Sequence, residues 1–280
     1  MVFSTKIKSD SPLVSVLMPA YNAENYIDEA IKSILKQTYK NFEFIILDDA
    51  STDNTWNILN DYVKKDNRIK IFKNPKNLYI AGARNKLIKL AKGKYIAWQD
   101  ADDIAYPKRL EQQVNFLNSY PQVGIVGGFL DFFENGKVKS VRKYAEDDAV
   151  LRKRMFRYSP VAQPAAMIRK QCFDEVGGYN LKYPPAEDID MSFRIGINWK
   201  FANIQNSILK YRITQTSATF KKLKHQFLST LEVRNNYAKN DAYKRTFLDL
   251  IINGIQLTGV MILPTRFSVS LFIKFRNSKR

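Results

Sequence analysis

The chain has 280 residues, of which 45% are apolar and 13% aromatic, and these values are typical of a globular protein with one large domain or one domain plus a smaller appendage. The 45 Lys and Arg residues outnumber the 27 Asp and Glu residues, so the formal net charge is +18. This charge predicts an anionic partner: nucleic acid, a phosphorylated small molecule or a membrane surface. With one cysteine, Cys172, and one histidine, His225, the chain cannot form an internal disulfide or a metal site of several Cys or His residues, and it fits a reducing compartment.

Two segments near the chain ends bear on its location. Residues 1–12 form a polar tail without the apolar core of a secretory signal, so we expect a protein made in the cytosol. Residues 248–264 are mostly apolar, but polar residues interrupt them and they are shorter than the roughly 20 residues that a membrane span needs. We therefore expect this segment to lie at an interface or to pack, not to span.

Strands and helices alternate in the first 120 residues. Apolar runs predict strands at 13–18, 42–47, 69–72 and 95–98. Apolar residues at helical spacing predict helices at 24–37 and 81–91. A further helix is expected to follow an N-cap at Ser51 or Thr52, and another to have Pro107 in its first turn. This alternation predicts a mostly parallel, doubly wound sheet. Ligands of such sheets bind beyond the carboxyl ends of the strands.

The pattern changes after residue 120. It predicts a strand at 123–133, an Asn-Gly turn at 135–136 and mixed elements up to about residue 215. From residue 220 onward the chain is helical in pattern and basic, because residues 221–280 contain twelve Lys or Arg and three Asp or Glu. This region supplies about half of the net charge.

Acidic residues follow two of the predicted strands. Asp48 and Asp49 end the second strand, where a carboxylate can accept hydrogen bonds from a nucleoside; the alternative is that they cap the next helix. Asp100, Asp102 and Asp103 follow the fourth strand, and acids at positions i and i+2 can bind one hard cation, which then bridges to phosphate; the alternative is a solvated acidic turn. Because both clusters lie at one sheet edge, we expect them to form one site.

Three runs of the sequence together resemble one enzyme family. VSVLMPAYNAENYIDEAIKSILKQTYKNFEFIILDDASTDNT, AGARNKL and GKYIAWQDADD are similar, in order and spacing, to the motifs of family 2 glycosyltransferases of the GT-A fold, and the resemblance covers roughly residues 13–215. It implies an inverting enzyme with a nucleotide-sugar donor and a divalent metal, Mn²⁺ or Mg²⁺. The donor-binding residues that it implies are Pro19, Ala20, Tyr21, Glu24, Asp49, Arg84, Asp100 and Ala101, with Asp102 as the metal ligand.

Within this set the resemblance implies separate roles. Pro19, Ala20 and Tyr21 border the base and Asp49 contacts it, with Glu24 in the same wall. Arg84 lies near the diphosphate. Asp100 faces the ribose or a water on the metal that Asp102 holds.

The segment PPAEDIDMSFRIG adds a second acidic pair, Glu187 and Asp188, at the start of a predicted helix. Negative charge is favourable there, so simple helix capping is one interpretation. The family resemblance implies instead that Asp188 is the general base, which takes the proton of the sugar hydroxyl as that hydroxyl attacks the anomeric carbon. Glu187 and Arg194 are candidate acceptor contacts, although a structural ion pair explains Arg194 equally well.

The sequence departs from the family pattern at three places. Many relatives have a histidine shortly after a YR pair, where it can act as a further metal ligand, and here Thr214 stands at about that position. The DD pair is followed by AS, not GS, which changes the loop but removes no ligand. The QxxRW motif of processive members is absent, which favours the addition of a single sugar.

The resulting prediction has four regions: a tail at 1–12, a donor-binding half at 13–120, an acceptor-binding half of the same GT-A domain at 121–218, and a basic amphipathic helical extension at 219–280. The expected activity is transfer of one sugar, from a UDP-sugar, to a carbohydrate or lipid-linked glycan of a bacterial surface polysaccharide or lipooligosaccharide. Such a protein is expected in the cytoplasm, peripheral on the inner face of the membrane. The alternatives are a sugar-phosphate nucleotidyltransferase and a basic protein that binds nucleic acid or membrane without catalysis.

The C-terminal extension leaves two interpretations open. Its apolar residues, flanked by Lys and Arg, suit helices that lie on an anionic membrane. The same pattern suits helices that pack on the catalytic domain or form a dimer.

Overall fold

The computed structural model describes residues 11–213, 223–264 and 267–268. Its strands are β1 Val14–Ala20, β2 Phe42–Asp48, β3 Ile69–Lys73, β4 Tyr95–Trp98, β5 Ile104–Ala105, β6 Val123–Glu134, β7 Lys137–Arg142, β8 Met167–Arg169 and β9 Lys200–Arg212. Its α-helices are α1 Ile27–Leu35, α2 Thr55–Val63, α3 Tyr79–Leu90, α4 Arg109–Ser119, α5 Asp148–Arg154, α6 Lys170–Val176, α7 Glu187–Ile195, α8 Leu223–Tyr237 and α9 Phe247–Ile262. Residues 1–10 of the predicted tail, and Thr214, lie outside the described residues.

All the strands belong to one sheet, in the order β3-β2-β1-β4-β8-β6-β9-β5, with β7 paired to β6. The first four strands are parallel, as the alternating pattern predicted. Beyond β4 the sheet is mixed, because β8 pairs antiparallel with both β4 and β6, while β6 and β9 are parallel. The predicted α/β sheet is thus confirmed, and its parallel part is the half that carries the first two acidic clusters.

The central strands have apolar residues on both faces because helices cover both sides of the sheet. Along β1, Val16 and Met18 point into one core while Leu17 points into the other, and all three are fully buried. Continuous apolar strands are typical of such two-sided burial. The polar residues that follow them are therefore the first that can reach solvent at the sheet edge.

Strand order places a crevice at the carboxyl ends of β1 and β4. The chain runs outward from β1 through β2 to β3 and then returns to the other side of β1 as β4. In open α/β sheets, the point where the order reverses is where ligands bind. The loops after β1, β2 and β4 all open at this edge.

Two predicted helix starts are wrong. The N-cap of α2 is Asn54, and neither Ser51 nor Thr52 caps the helix, because both are hydrogen-bonded to Asn22 of the preceding loop. Helix α4 begins at Arg109, two residues after Pro107. The predicted turn at residues 135–136 is confirmed, with positive φ angles of 50° and 74° that join β6 to β7.

The two C-terminal helices pack on the second half of the sheet domain. Helix α8 lies against α7 and α9. In α9, the polar residues Asp249, Asn253 and Gln256 are buried, and a capping box formed by Thr246 and Asp249 starts the helix. Among the described residues, no helix is long and apolar enough to cross a membrane.

Candidate active site

The loops after β1 and β2 are fastened to each other by side chains. The Asn22 backbone N–H donates to Ser51 Oγ at 3.0 Å, and the Thr52 N–H donates back to Asn22 Oδ1 at 2.9 Å. The carboxylate of Glu24 accepts from the Asn54 N–H at 2.9 Å. Glu24, predicted as part of the nucleotide wall, thus joins the two loops that border the crevice.

The two acids at the end of β2 have different surroundings. Asp48 is fully buried and accepts the Ser51 N–H at 3.0 Å, with Lys73 Nζ 3.6 Å away. Asp49 is also buried, and it accepts the Asn74 side-chain amide at 2.6 Å and the Leu78 N–H at 2.9 Å. Neither residue caps α2, so the capping interpretation is not supported. Asp49 lies instead where the loop after β2 meets the start of α3.

Arg84 is the centre of the site. Its guanidinium, on α3, is 5% exposed, with Nη1 2.9 Å from Glu187 Oε1 and Nη2 3.7 Å from Asp100 Oδ1. The rings of Trp98 and Tyr179 lie beside it, with ring centroids 5.4 and 5.6 Å from its Cζ. The motifs GARN, QDADD and AED, far apart in sequence, therefore meet at one buried cation.

Charge balance keeps this buried arginine ionised. Burial alone lowers the pKa of the Arg84 guanidinium, but the nearby charges of Asp100 and Glu187 outweigh burial, so the pKa is above its ordinary value. Arg84 Nε has no hydrogen-bond partner among the described residues. The site therefore keeps a donor available next to the two carboxylates.

The acidic turn after β4 holds carboxylates in a confined space. Burial and the neighbouring Asp100 raise the pKa of Asp102 to about 6. Burial and the nearby charges of Asp102 and Asp100 raise the pKa of Asp103 as well, although one of its oxygens accepts the Arg212 backbone N–H at 3.0 Å. The crowding of negative charge is the arrangement expected where a cation binds.

Arg212 fixes this turn from the end of β9. Its Nε donates to the backbone carbonyl of Asp102 at 2.8 Å, and its guanidinium forms an ion pair with Glu29 of α1. The sequence did not predict this role of Arg212, because the YR pair drew attention only through the histidine that many relatives have after it. The signal was the arginine of that pair itself.

A second buried arginine supports the turn from below. Arg109, on α4, donates to Gln99 Oε1 at 3.0 Å and to the Trp98 carbonyl at 2.5 Å. Gln99 Nε2 in turn donates to the backbone carbonyls of Asp100 and Asp103, at 3.0 and 2.8 Å. Periodicity gave no indication of Gln99 and Arg109, because on sequence alone they read as ordinary polar residues of a loop and a helix.

The acidic pair of α7 faces the same cluster. Burial raises the pKa of Glu187 to about 7 despite the opposing effect of Arg84, and one of its oxygens, Oε2, is buried without a hydrogen bond among the described residues. Burial also raises the pKa of Asp188, against a smaller lowering by Arg84. The N-cap of α7 is Ala186, without a side-chain cap, but Asp188 Oδ1 accepts the Ile189 N–H at 2.8 Å, so Asp188 also stabilises the first turn of the helix.

The oxygen ligands of the turn suit a hard divalent cation. Asp100 Oδ1 is buried with no hydrogen-bond partner among the described residues, and Asp102 adds a second carboxylate two positions on. The described residues contain no ready cluster of three or more His, Cys, Asp or Glu. Such a pair fits Mg²⁺ or Mn²⁺, which take their other ligands from phosphate and water.

Comparison with known proteins identifies the family. The pattern described as "Glycosyl transferase family 2" matches residues 15–177, which include β1 to β4 and the acidic turn. The chain belongs to glycosyl transferase family 2. An uncharacterized glycosyltransferase of Methanocaldococcus jannaschii is 35% identical over 278 residues, which cover 96% of each chain. The Escherichia coli protein WfaP, named a UDP-Glc:alpha-D-GlcNAc-diphosphoundecaprenol beta-1,3-glucosyltransferase, is 31% identical over 76% of this chain and 82% of its own.

Solved structures share the fold of this family 2 glycosyltransferase. Residues 1–349 of TarS from S. aureus, in complex with UDP-GlcNAc, superpose with a TM-score of 0.66 at 18% identity, covering 88% of this chain and 72% of TarS. The mannosyltransferase PcManGT of Pyrobaculum calidifontis, in complex with GDP-Man and Mn²⁺, gives 0.63 at 15% identity, covering 96% and 86%. These likenesses confirm the GT-A fold. The family assignment also decides against the nucleotidyltransferase and the non-catalytic binding protein.

The remaining predicted site residues of the glycosyltransferase differ in exposure and in contacts. Pro19 and Ala20 end β1 at the crevice, Tyr21 follows the strand and is exposed, and Ala101 is buried in the acidic turn. Arg194 donates to Asp190 and to the carbonyls of Val176, the last residue of α6, and of Gly178. These contacts favour the structural ion pair for Arg194 over contact with an acceptor.

The two single-copy residues have no place in the site. His225 is exposed at the start of α8. Cys172 is buried in α6, and burial raises the pKa of its thiol to about 12.

Proposed function

We propose that this glycosyltransferase moves one sugar, with inversion, from a nucleotide-diphosphate sugar to a carbohydrate or lipid-linked glycan. The observation that carries the proposal is the meeting of Asp100, Arg84 and the Glu187–Asp188 pair at the carboxyl edge of the parallel strands. A donor site and a general base are thereby brought within one crevice. The family assignment supports the class of reaction, and the geometry supports the division of roles.

The donor half of the proposal rests on the first two acidic clusters. In this proposal Asp49, directly after β2, faces the base, beside Pro19 and Ala20 at the end of β1 and Tyr21 after it. Asp102, with Asp100, would hold Mn²⁺ or Mg²⁺. When bound, such an ion neutralises charge on a diphosphate leaving group. The guanidinium of Arg84 adds a fixed positive charge on the same side of the site.

The acceptor half of the proposal rests on Asp188. As a carboxylate it accepts the proton of the acceptor hydroxyl while the hydroxyl oxygen forms a bond to the anomeric carbon and the bond from that carbon to the diphosphate breaks. One displacement of this kind inverts the anomeric centre. Glu187, paired with Arg84, orients the turn that carries Asp188, and it is one wall of the proposed acceptor site.

The donor and acceptor classes follow from the relatives. WfaP is named for UDP-Glc and for an acceptor on diphosphoundecaprenol, and TarS was solved with UDP-GlcNAc. We therefore assign a UDP-sugar as donor and a lipid-linked or free glycan of a bacterial surface polysaccharide or lipooligosaccharide as acceptor. This assignment places the protein at the inner face of the cytoplasmic membrane. The absence of QxxRW supports single addition.

Calorimetric titration with UDP and with GDP, in the presence and absence of Mn²⁺, tests the donor site. We expect Mn²⁺-dependent binding of UDP that Asp49→Ala and Asp102→Ala each weaken at least about tenfold, as loss of a charged contact does. Asp61→Ala, an exposed acid on α2, is the matched control and is expected to bind UDP normally. No binding of either nucleotide by the folded protein contradicts the proposal.

A further inference from the structure

Helix α9 has its polar side inside and its apolar side outside. The buried positions Asp249, Asn253, Gln256 and Val260 are spaced by four, three and four residues, so they form one stripe along the helix. Apolar side chains occupy the opposite side and the ends. Their exposed fractions are 76% for Phe247, 47% for Leu248, 45% for Ile251, 60% for Ile255 and 74% for Ile262.

Specific contacts fix this orientation. Asp249 forms an ion pair with Arg157, and the Asn253 side-chain amide donates to the Phe156 carbonyl at 2.9 Å. Arg234 of α8 donates to Asn253 Oδ1 at 2.6 Å. Turning the apolar side inward would leave these buried polar groups without partners, which is unfavourable. The outward apolar face is therefore built into the fold.

The charge around this face indicates what covers it. Of the three acidic residues in 221–280, Glu232 lies 3.5 Å from Lys182 and Asp249 is buried against Arg157. By composition, twelve Lys and Arg residues stand against these three acids in the same segment, and among the described residues Lys244 and Arg245 come just before α9. A second copy of the chain would bring two such positive surfaces together, whereas acidic lipid headgroups complement them.

We propose that the exposed apolar face of α9 lies in the plane of a bilayer that contains acidic phospholipid. An exposed apolar face on a helix that belongs to a basic segment is the feature that places a helix in the interface region. The inference names the membrane partner of the proposed function and rests on it for the location of the acceptor. Its test does not require catalysis.

The same packing connects the proposed membrane face to the site. Helix α8 lies between α9 and α7, and Tyr237 OH donates to Asp190 Oδ1 of α7 at 3.2 Å. Asn236 Nδ2 donates to Tyr183 OH at 2.8 Å, just before α7. Because α7 begins with Glu187 and Asp188, a bilayer on α9 would hold the acceptor-binding edge at a defined orientation to the lipid.

Cosedimentation of the full chain with vesicles tests the proposal. We expect binding to phosphatidylcholine vesicles in which one-third of the lipid is phosphatidylglycerol, and at least about tenfold weaker binding to phosphatidylcholine alone. Ile255→Ser/Ile262→Ser should weaken binding to the acidic vesicles by at least about tenfold, since two exposed apolar side chains are lost. Val63→Ser/Val138→Ser removes two exposed valines of α2 and β7 and is the matched control.

Three measurements on the same samples separate the outcomes. UDP titration in solution reports on the donor site, so its failure alone contradicts the proposed function and leaves the membrane face standing. Equal binding of both double variants to acidic vesicles overturns the proposal. The proposal is also overturned if the wild type does not bind vesicles, is a dimer in light scattering, and becomes a monomer in Ile255→Ser/Ile262→Ser. That result would show that a second copy of the chain covers α9.

Discussion

Arg84 Nη1 lies 2.9 Å from Glu187 Oε1, and this pair joins helices α3 and α7 although the two residues are 103 positions apart in the sequence. Both side chains are almost wholly buried. The pair connects the donor half of the sheet to the segment that carries the proposed base. A buried ion pair of this kind is sensitive to the loss of either partner, because the remaining charge is left without compensation.

Removal of one partner is therefore expected to destabilise the fold. Arg84→Met and Glu187→Met should each lower the free energy of unfolding, by about 3 kcal/mol or more for the arginine. Arg84→Met/Glu187→Met should lose less than the sum of the single changes, because neither charge is left buried alone. Urea denaturation at pH 7.5 measures all of these values, and additive losses would show that the pair is not coupled.

The proposed base makes a separate prediction about rate. Asp188→Asn keeps the shape of the side chain but cannot accept the proton, so kcat should fall by about 10² to 10⁴. UDP binding should stay within about twofold of wild type, because the donor contacts are unchanged. Asp174→Asn, an exposed acid on α6, is the control and should keep full activity. If Glu187→Gln abolishes transfer while Asp188→Asn does not, the roles of the two acids are reversed.

Local patterns predicted the strands and the acidic clusters well. Phe42–Asp48 and Tyr95–Trp98 follow from apolar runs that end in acids, since a buried parallel strand excludes polar residues until it reaches the sheet edge. The two-residue strand Ile104–Ala105 was missed because it is too short to have a periodic pattern. The N-cap of α2 was misplaced because Ser51 and Thr52 bond across to another loop, a tertiary contact that spacing does not encode.

The connections between clusters required the structure. The positions of Arg84, Arg109 and Arg212 in the sequence do not distinguish them from other basic residues. Only the fold shows that Arg84 and Arg212 contact the acidic turn and that Arg109 contacts Gln99, which holds the turn. Arg84, Asp100 and Glu187 were each named from the sequence, but the sequence did not show that the Arg84 guanidinium lies between the two carboxylates. A pair separated by 103 residues has no local signal.

The raised pKa of Asp102 predicts how stability depends on pH without metal. Its folded pKa of about 6 lies above the ordinary value of 3.8, so the folded state holds the proton more tightly and ionisation destabilises it as pH rises through this window. In the presence of EDTA, Asp102→Asn should be more stable than wild type at pH 7.5 by about 1 to 3 kcal/mol. The difference should shrink as the pH falls towards 4, where the folded carboxyl is protonated and the unfolded carboxyl is partly protonated.

Thermal and urea unfolding between pH 4 and pH 8 measure this difference. Asp61→Asn, on the exposed surface of α2, should show no such pH-dependent gain. Excess Mn²⁺ with UDP should reverse the order at pH 7.5 by stabilising wild type only. If the difference in the free energy of unfolding between Asp102→Asn and wild type does not change with pH, the raised pKa of Asp102 is contradicted.

The loop after Asp49 contains a residue in a backbone conformation that favours glycine. Ala50 has φ of 65°, where its Cβ approaches the following carbonyl, and it stands where the family pattern has glycine. Ala50→Gly relieves this strain at some cost in chain entropy, so we expect a gain of about 0.5 to 1 kcal/mol in the free energy of unfolding. UDP affinity should stay within about twofold, because no donor contact of Asp49 is removed.

Gly136 provides the matched reverse change. Its φ is 74° and a Cβ added there meets nothing within 4 Å, so Gly136→Ala differs from wild type only through the backbone. We expect Gly136→Ala to lower the free energy of unfolding by about 1 kcal/mol while Ala50→Gly raises it. If urea denaturation shows that Ala50→Gly destabilises the protein while Gly136→Ala behaves as expected, the methyl group of Ala50 must contribute packing that outweighs its backbone strain.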